Sequence, residues 1–214
     1  MKFVATALLT VFFGLCAGAS HAQEFSADVV YSPPKSAASK PGQDVASPPQ
    51  PSKLFVGKNQ MRLENHGVSG TVLLVDWDTQ TTTLLFPQHK AYQYLPNHPS
   101  QYFRVRDAEN ACPDWQMASA VKIVCEKVAP EDVAGRSAVK YRNKSVTGDA
   151  SLTAVWIDPT LNFVIKWESV ETTAEVRNII AGQQAGALFV LPASYEALKP
   201  TKKPPKGGGP TPPR

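Results

Sequence analysis

Between Lys53 and Leu95 the chain alternates short runs of Val, Leu, Thr and aromatic residues with breaks at Gly, Asn, Asp or Pro. That is how antiparallel strands joined by tight turns look in one dimension. Leu54–Val56 and Met61–Leu63 flank Gly57-Lys58-Asn59, which predicts a first hairpin whose turn uses the positive φ that Gly and Asn tolerate. A second hairpin is predicted from Thr71–Trp77, turning at Asp78-Thr79-Gln80 and returning over Thr81–Phe86 to Pro87, with Tyr92 and Tyr94 continuing the meander. Met61 and Leu63 alternate with Arg62 and Glu64, as in a strand with one wet face. Val72 to Val75 are apolar at every position, so both faces of that strand need a cover. A helix, a second layer of sheet or an apolar ligand would each supply it.

The same pattern recurs on both sides of this stretch. Glu24–Tyr31 reads as a first strand with Phe25, Ala27 and Val29 on one side. Later strands are predicted over Ala120–Val128, Arg136–Ser145, Leu152–Ile157, Asn162–Val170 and Glu175–Ile180, with turns at Val133-Ala134-Gly135, Thr147-Gly148-Asp149 and Asp158-Pro159-Thr160. Phe163, Ile165 and Trp167 share one face of the clearest of these, opposite Val164, Lys166 and Glu168. Leu188-Phe189-Val190-Leu191-Pro192 ends in a short turn through Tyr195. Helical signals are few: Asn97–Phe103, with Asn97 as cap and Pro99 in the first turn, and a start at Pro113–Ala118. Roughly ten strands at this spacing predict a mainly β fold, an antiparallel sandwich or barrel.

The ends differ from the middle. Lys2, the apolar run Phe3–Leu15 and Ser20-His21-Ala22 have the layout of a secretory signal, so residues 1–22 are expected to be cleaved on export and the product to be periplasmic. The run is shorter than the ~18 apolar residues that span a bilayer. Bulky Leu15 before Cys16 does not suit lipoprotein processing. Residues 23–197 are expected to form one domain, and 198–214, rich in Lys, Pro and Gly, a disordered basic tail. Ser32–Ser52, crowded with Pro, Ser, Ala and Lys, reads as a long loop, either a lid over a cavity or an elaborated connection. With Cys16 removed, Cys112 and Cys125 are an even pair in an oxidising compartment, which predicts a structural disulfide. Closing that loop is worth about 3 kcal/mol by chain entropy.

Charge and motif exclude more than they suggest. The chain has 22 Lys and Arg against 18 Asp and Glu, but without Lys2 and the five basic residues of the tail the folded part is net −2, no footprint for nucleic acid. Gly67-Val68-Ser69-Gly70 lacks the spacing of a nucleophile elbow. His66, His89 and His98 have no metal-ligand spacing, Asp76 and Asp78 do not continue into a calcium loop, and Gly207-Gly208-Gly209 has no strand before it. No catalytic residue, metal or cofactor is expected, and the chain is read as not an enzyme.

The strings Lys53–Glu64, Leu74-Val75-Asp76, Leu84-Leu85-Phe86-Pro87 with Tyr92, Phe163–Glu168 and Leu188–Pro192 together resemble the periplasmic lipoprotein-carrier (LolA/LolB-like) superfamily, in particular its uncharacterised secreted members. The resemblance covers most of residues 24–197. It implies a strongly curved, half-open antiparallel barrel whose apolar concave face holds acyl chains or another hydrophobic ligand. Two features depart from the carriers. Where they place a lid-holding arginine, the turn here has Lys58-Asn59, and a lysine lacks the planar fork of donors. Carriers also plug the barrel with helices, and no long amphipathic helix is legible here.

On this basis the expected ligand-binding set is Phe55, Met61, Leu63, Leu74, Leu84, Phe86, Phe163, Ile165 and Trp167, with Lys58 as the lid turn. A plain closed core accounts for the same residues. The expected partner is a lipid or an acylated lipoprotein, bound by a monomer with peripheral membrane contact through the basic tail. The alternative is an envelope protein-interaction or sensor module on the same fold. A deep apolar cavity favours the first, and a filled barrel with an exposed apolar patch the second.

Overall fold

The computed structural model describes residues 23–32, 51–65, 70–96, 98–118, 124–143, 152–169 and 172–198. The expected signal at 1–22, the tail beyond 198, nearly all of the Ser32–Ser52 loop, and His66 lie outside them. The fold is mainly β, one large sheet of 13 strands that curls without closing. Strand β1 (Phe25–Ser32) is at its middle. On one side the chain meanders through β2 (Ser52–Val56), β3 (Gln60–Glu64), β4 (Val72–Asp76), β5 (Thr81–Phe86) and β6 (Ala91–Tyr94). On the other side β12 (Thr173–Ala181) pairs with β1 and leads outward through β11 (Phe163–Glu168), β10 (Ala154–Asp158), β9 (Arg136–Asn143) and β7 (Cys125–Lys127). The short β8 (Glu131–Val133) pairs with β9, and β13 (Glu196–Ala197) adds in parallel to β6.

The turns form for reasons only partly written in the pattern. The first hairpin closes with Gly57 N–H on Gln60 C=O at 2.8 Å. Neither Gly57 nor Asn59 has positive φ, correcting the expected reason for the glycine. A Cβ at Gly57 would lie 2.9 Å from the Phe189 ring, so the residue is there for a close approach. In the second hairpin it is Gln80 that takes positive φ, while Asp76 Oδ1 accepts the Thr79 N–H. Ala134 and Gly135, both left-handed, turn β8 into β9, so the turn expected to follow the 120–128 run serves a strand the pattern did not announce.

Strand β4 is buried at Val72, Leu73, Leu74 and Val75, and the chain covers both of its faces itself. On the convex side Leu191 and Tyr195, from the segment leading to β13, pack over Val72, Leu74 and Leu85. A 3-10 turn at Gly186–Phe189 opens that segment, and Arg62 Nη1 donates to Leu188 C=O at 3.0 Å.

The concave side holds the main core. Phe163 is its hub, edge-on to Phe25 (5.3 Å between ring centroids), Trp77 (6.1 Å) and Phe103 (6.1 Å). Phe103 also lies 4.7 Å from Trp167. It belongs to residues 98–118, which fill the barrel with Phe103, Val105, Ala108, Ala111 and Trp115. This plug is built without a long helix, from a 3-10 turn at Pro99–Tyr102, capped by His98 rather than Asn97, and helix α1 (Cys112–Ala118). The Cys112–Cys125 disulfide ties α1 to β7.

Phe163→Ala removes the hub ring from a site with no exposure, so it is expected to lower unfolding free energy by about 3–5 kcal/mol. Phe86→Ala, at a half-buried ring outside the core clusters, is expected to cost less than about 1.5 kcal/mol. Urea unfolding of the two variants decides; similar losses would mean Phe163 is not the hub.

Candidate functional site

The nine residues expected to line one cavity are divided by the sheet. Met61, Leu63, Phe163, Ile165 and Trp167 are buried in the main core, with Leu84 packed against it. Leu74 belongs to the cluster on the opposite face. Phe55 pairs with Arg62, and Arg62 with Leu74, so Phe55 shares that convex face and is half-buried there. Phe86 is half-buried at the end of β5. The core members pack with the plug's own side chains.

The plug is held unequally along its two edges. Toward β9–β11 it is laced to the sheet by backbone: Val164 N–H donates to Phe103 C=O at 2.8 Å and Val105 N–H to Asn162 C=O at 3.0 Å. Tyr141 Oη donates to Ala108 C=O at 2.9 Å and accepts the Ala111 N–H at 3.3 Å. With Trp115 stacked edge-on against Tyr141 and the disulfide below, this edge is fixed. Toward the β2–β3 and β4–β5 turns, side chains reach carbonyls: Gln101 Nε2 donates to Gln80 C=O at 3.0 Å, and Arg104 Nη2 to Gly57 C=O at 2.8 Å.

This looser seam opens into a cavity of about 520 Å³ lined by Gln80, Thr81, Thr82, Tyr94, Leu95, Pro96, Gln101 and Tyr102. Its walls have apolar and aromatic surface, amides and hydroxyls, and no charged residue. Four buried side-chain atoms have no hydrogen-bond partner among the described residues: Trp77 Nε1, Thr82 Oγ1, and Arg104 Nε and Nη1; of these residues only Thr82 lines the cavity. Arg104 lies over the Trp77 ring, its Cζ 4.8 Å from the centroid. Burial draws this guanidinium down to about 10, and the field of Glu24 works against that shift. Orphaned polar groups of this kind each cost about 1–3 kcal/mol.

The lid-turn expectation meets the structure one residue away. Lys58 is exposed, and the carbonyl of its neighbour Gly57 takes the bond from Arg104, so the arginine that ties the plug to this turn comes from the plug itself. None of the nine expected residues lines the cavity. Its signal in the sequence was present in Tyr92-Gln93-Tyr94 followed by the Asn97–Phe103 helix cue, which together bring two tyrosines to one connection. Arg104 was readable only as part of a loop. Among the described residues no group of three or more His, Cys, Asp or Glu is placed to hold a metal ion, and no helix is long and apolar enough to cross a membrane.

No protein-family model matches the chain, and no curated protein sequence does. Solved structures are similar at low identity. PNGF-II aligns at 10% identity over 78% of this chain and 30% of its own, with a TM-score of 0.45. MucB aligns at 12% over 83% and 60%, with a TM-score of 0.37. The LolA superfamily protein NE2245 from Nitrosomonas europaea aligns at 8% over 79% and 90%, with a TM-score of 0.33. The chain thus spans less than two thirds of the first two and most of the third. The half-open sheet follows from the chain's own strand order.

An unpaired buried cation is a poor structural element, because apolar replacements of similar volume tend to be neutral or stabilising. Arg104→Met is therefore expected to leave unfolding free energy within about 1 kcal/mol of the parent or to raise it. Chemical denaturation at neutral pH checks this, and a loss of more than about 2 kcal/mol would make Arg104 a structural latch.

Proposed function

We propose that this chain is a non-enzymatic binding or carrier protein for a hydrophobic ligand, a lipid or an acyl chain, acting in an oxidising envelope compartment. The observation that carries the reading is the seam cavity of about 520 Å³ on the looser edge of the plug, walled by Tyr94, Leu95, Pro96 and Tyr102. Its size is in the range of small-ligand sites, and such sites combine apolar walls with a few polar groups that set orientation. The disulfide supports the compartment.

The asymmetry of the plug gives the cavity a way to enlarge. Lifting the turn Pro99–Tyr102 away from β4–β6 breaks the Gln101 tie to Gln80, while Phe103 and Val105 stay on their backbone bonds at the fixed edge. The ligand tail would then lie against Leu84, Leu95 and Tyr102, all partly buried against the main core. The core residues Met61, Leu63, Phe163, Ile165 and Trp167 act behind this wall as its rigid support.

The full chain, purified from its own compartment without detergent, is expected to carry one lipid or acyl-bearing molecule per protein in native mass spectrometry with lipid extraction. Added long-chain probe is expected to compete with it and to change the solvent exposure of Tyr102, measured by hydrogen exchange across 98–102. A clean apo mass with no probe uptake would remove the ligand reading and leave the protein-interaction module as the better account of the fold.

A further inference from the structure

The cavity lies at the end of β5 and β6 toward which the last strand runs. β13 is parallel to β6, with Glu196 abreast of Ala91 and Ala197 of Tyr92. Its N–H groups donate from alternate residues, Glu196 to Lys90 C=O at 2.9 Å and Leu198 to Tyr92 C=O at 2.8 Å. Continued at about 3.3 Å per residue, the same register would bring Lys199 abreast of Tyr94 and Pro200 abreast of Leu95, and Tyr94 and Leu95 both line the cavity. The ladder cannot follow, because the next donor after Leu198 would be residue 200, and a proline has no N–H. The chain is thus delivered to the rim of the cavity and released from the sheet there.

What comes next is Lys199-Pro200-Thr201-Lys202-Lys203-Pro204-Pro205-Lys206. Prolines at this density favour the polyproline helix, which docks on aromatic-lined grooves exposed at a surface. The cavity offers such a surface. Tyr94 is 57% exposed yet held in place, its ring edge-on to Tyr92 at 5.3 Å, and Tyr102 and Pro96 continue the apolar wall. Gln80, Thr81 and Gln101 add amides and a hydroxyl, which suit the backbone carbonyls that a polyproline helix leaves unpaired. No lining residue is charged, so lysines of a docked segment would keep their ammonium groups in water. The preceding segment already follows this face, where Leu191 and Tyr195 pack with Tyr92 against Val72, Leu74 and Leu85.

We propose that the resident occupant of the cavity is this chain's own proline-rich segment, residues 200–205, laid across Tyr94 and Tyr102. A tether of a few residues gives an effective concentration on the order of millimolar, so a contact of only millimolar intrinsic strength is made about half the time. The consequence for binding rests on the hydrophobic-ligand reading: a long-chain molecule entering the cavity has to displace the segment, which lowers the apparent affinity of the site.

The test replaces Tyr94 by the photo-crosslinker benzoylphenylalanine in the full chain and maps the crosslinks by mass spectrometry, with and without Pro204→Ser and Pro205→Ser together. Intramolecular crosslinks to residues 200–205 are expected, at a yield that added salt does not lower and that falls several-fold in the double proline variant. Crosslinks only to a second copy, or to none of residues 200–205, overturn the proposal, and so does a yield lost in salt, which marks a charge-driven contact of the lysines. With the lining left unsubstituted, hydrogen exchange across 98–102 is expected to be slower in the parent than in the double variant; equal exchange overturns the proposal. Palmitate is expected to bind the double variant a few-fold more tightly than the parent and to lower the parent's crosslink yield. Crosslinks without palmitate uptake leave the tail contact standing and remove the ligand reading, and uptake without crosslinks does the reverse.

Discussion

A strand that is apolar on both faces must be covered twice, and the rest of this structure follows from how the chain does so. Val72 to Val75 cannot face water on either side. The convex face is closed by the segment through Leu191 and Tyr195, which returns to the sheet as β13 along β6. The concave face is closed by residues 98–118, inserted between β6 and β7, the two outer strands of the path before β13 adds to β6. The sheet curls around that insertion, which takes the place of barrel closure: the strands at its ends need not pair when a plug packs between them.

The chemistry of the two seams differs because the sequence of the plug differs along its length. Between Phe103 and Ala111 the segment turns Phe103, Val105, Ala108 and Ala111 into the core, and it joins β11 and Tyr141 through main-chain groups. From Pro99 to Tyr102 it is a 3-10 turn whose backbone bonds are spent internally, such as Phe103 N–H on Ser100 C=O. That turn meets β4 and β5 through side chains, and side chains alone leave Trp77, Thr82 and Arg104 short of partners. The site is therefore a by-product of where regular backbone pairing stops.

Much of the fold was legible. Alternation placed the meander from β2 to β6 and the face shared by Phe25, Ala27 and Val29, and the doubly apolar run at 72–75 announced two covers. The cysteine pair was readable from compartment logic. What stayed hidden was contact between segments distant in sequence. Gly57 owes its smallness to Phe189, 132 positions later in the chain by number, and a turn rule supplied a different reason. Phe55 and Leu74 have the hydropathy of concave residues and face the convex side because register assigns them there. Arg104 has no local pattern at all; its burial is created by Trp77 and Gly57 closing over it from the other side of the barrel.

The same logic explains why opening need not endanger the fold. The hub at Phe163 ties β1, β4 and the plug together through Phe25, Trp77 and Phe103. Phe103 is itself bonded to Val164 on the fixed edge, so the hub stays when the turn moves. The turn 98–102 is outside it, and Gln101 Nε2 donates to Gln80 C=O on the hairpin. A five-residue turn that leaves the sheet takes less buried area with it than the whole plug, whose displacement would expose Phe103, Val105 and Trp115 at once. Motion confined to the turn is thus the cheaper path into the cavity.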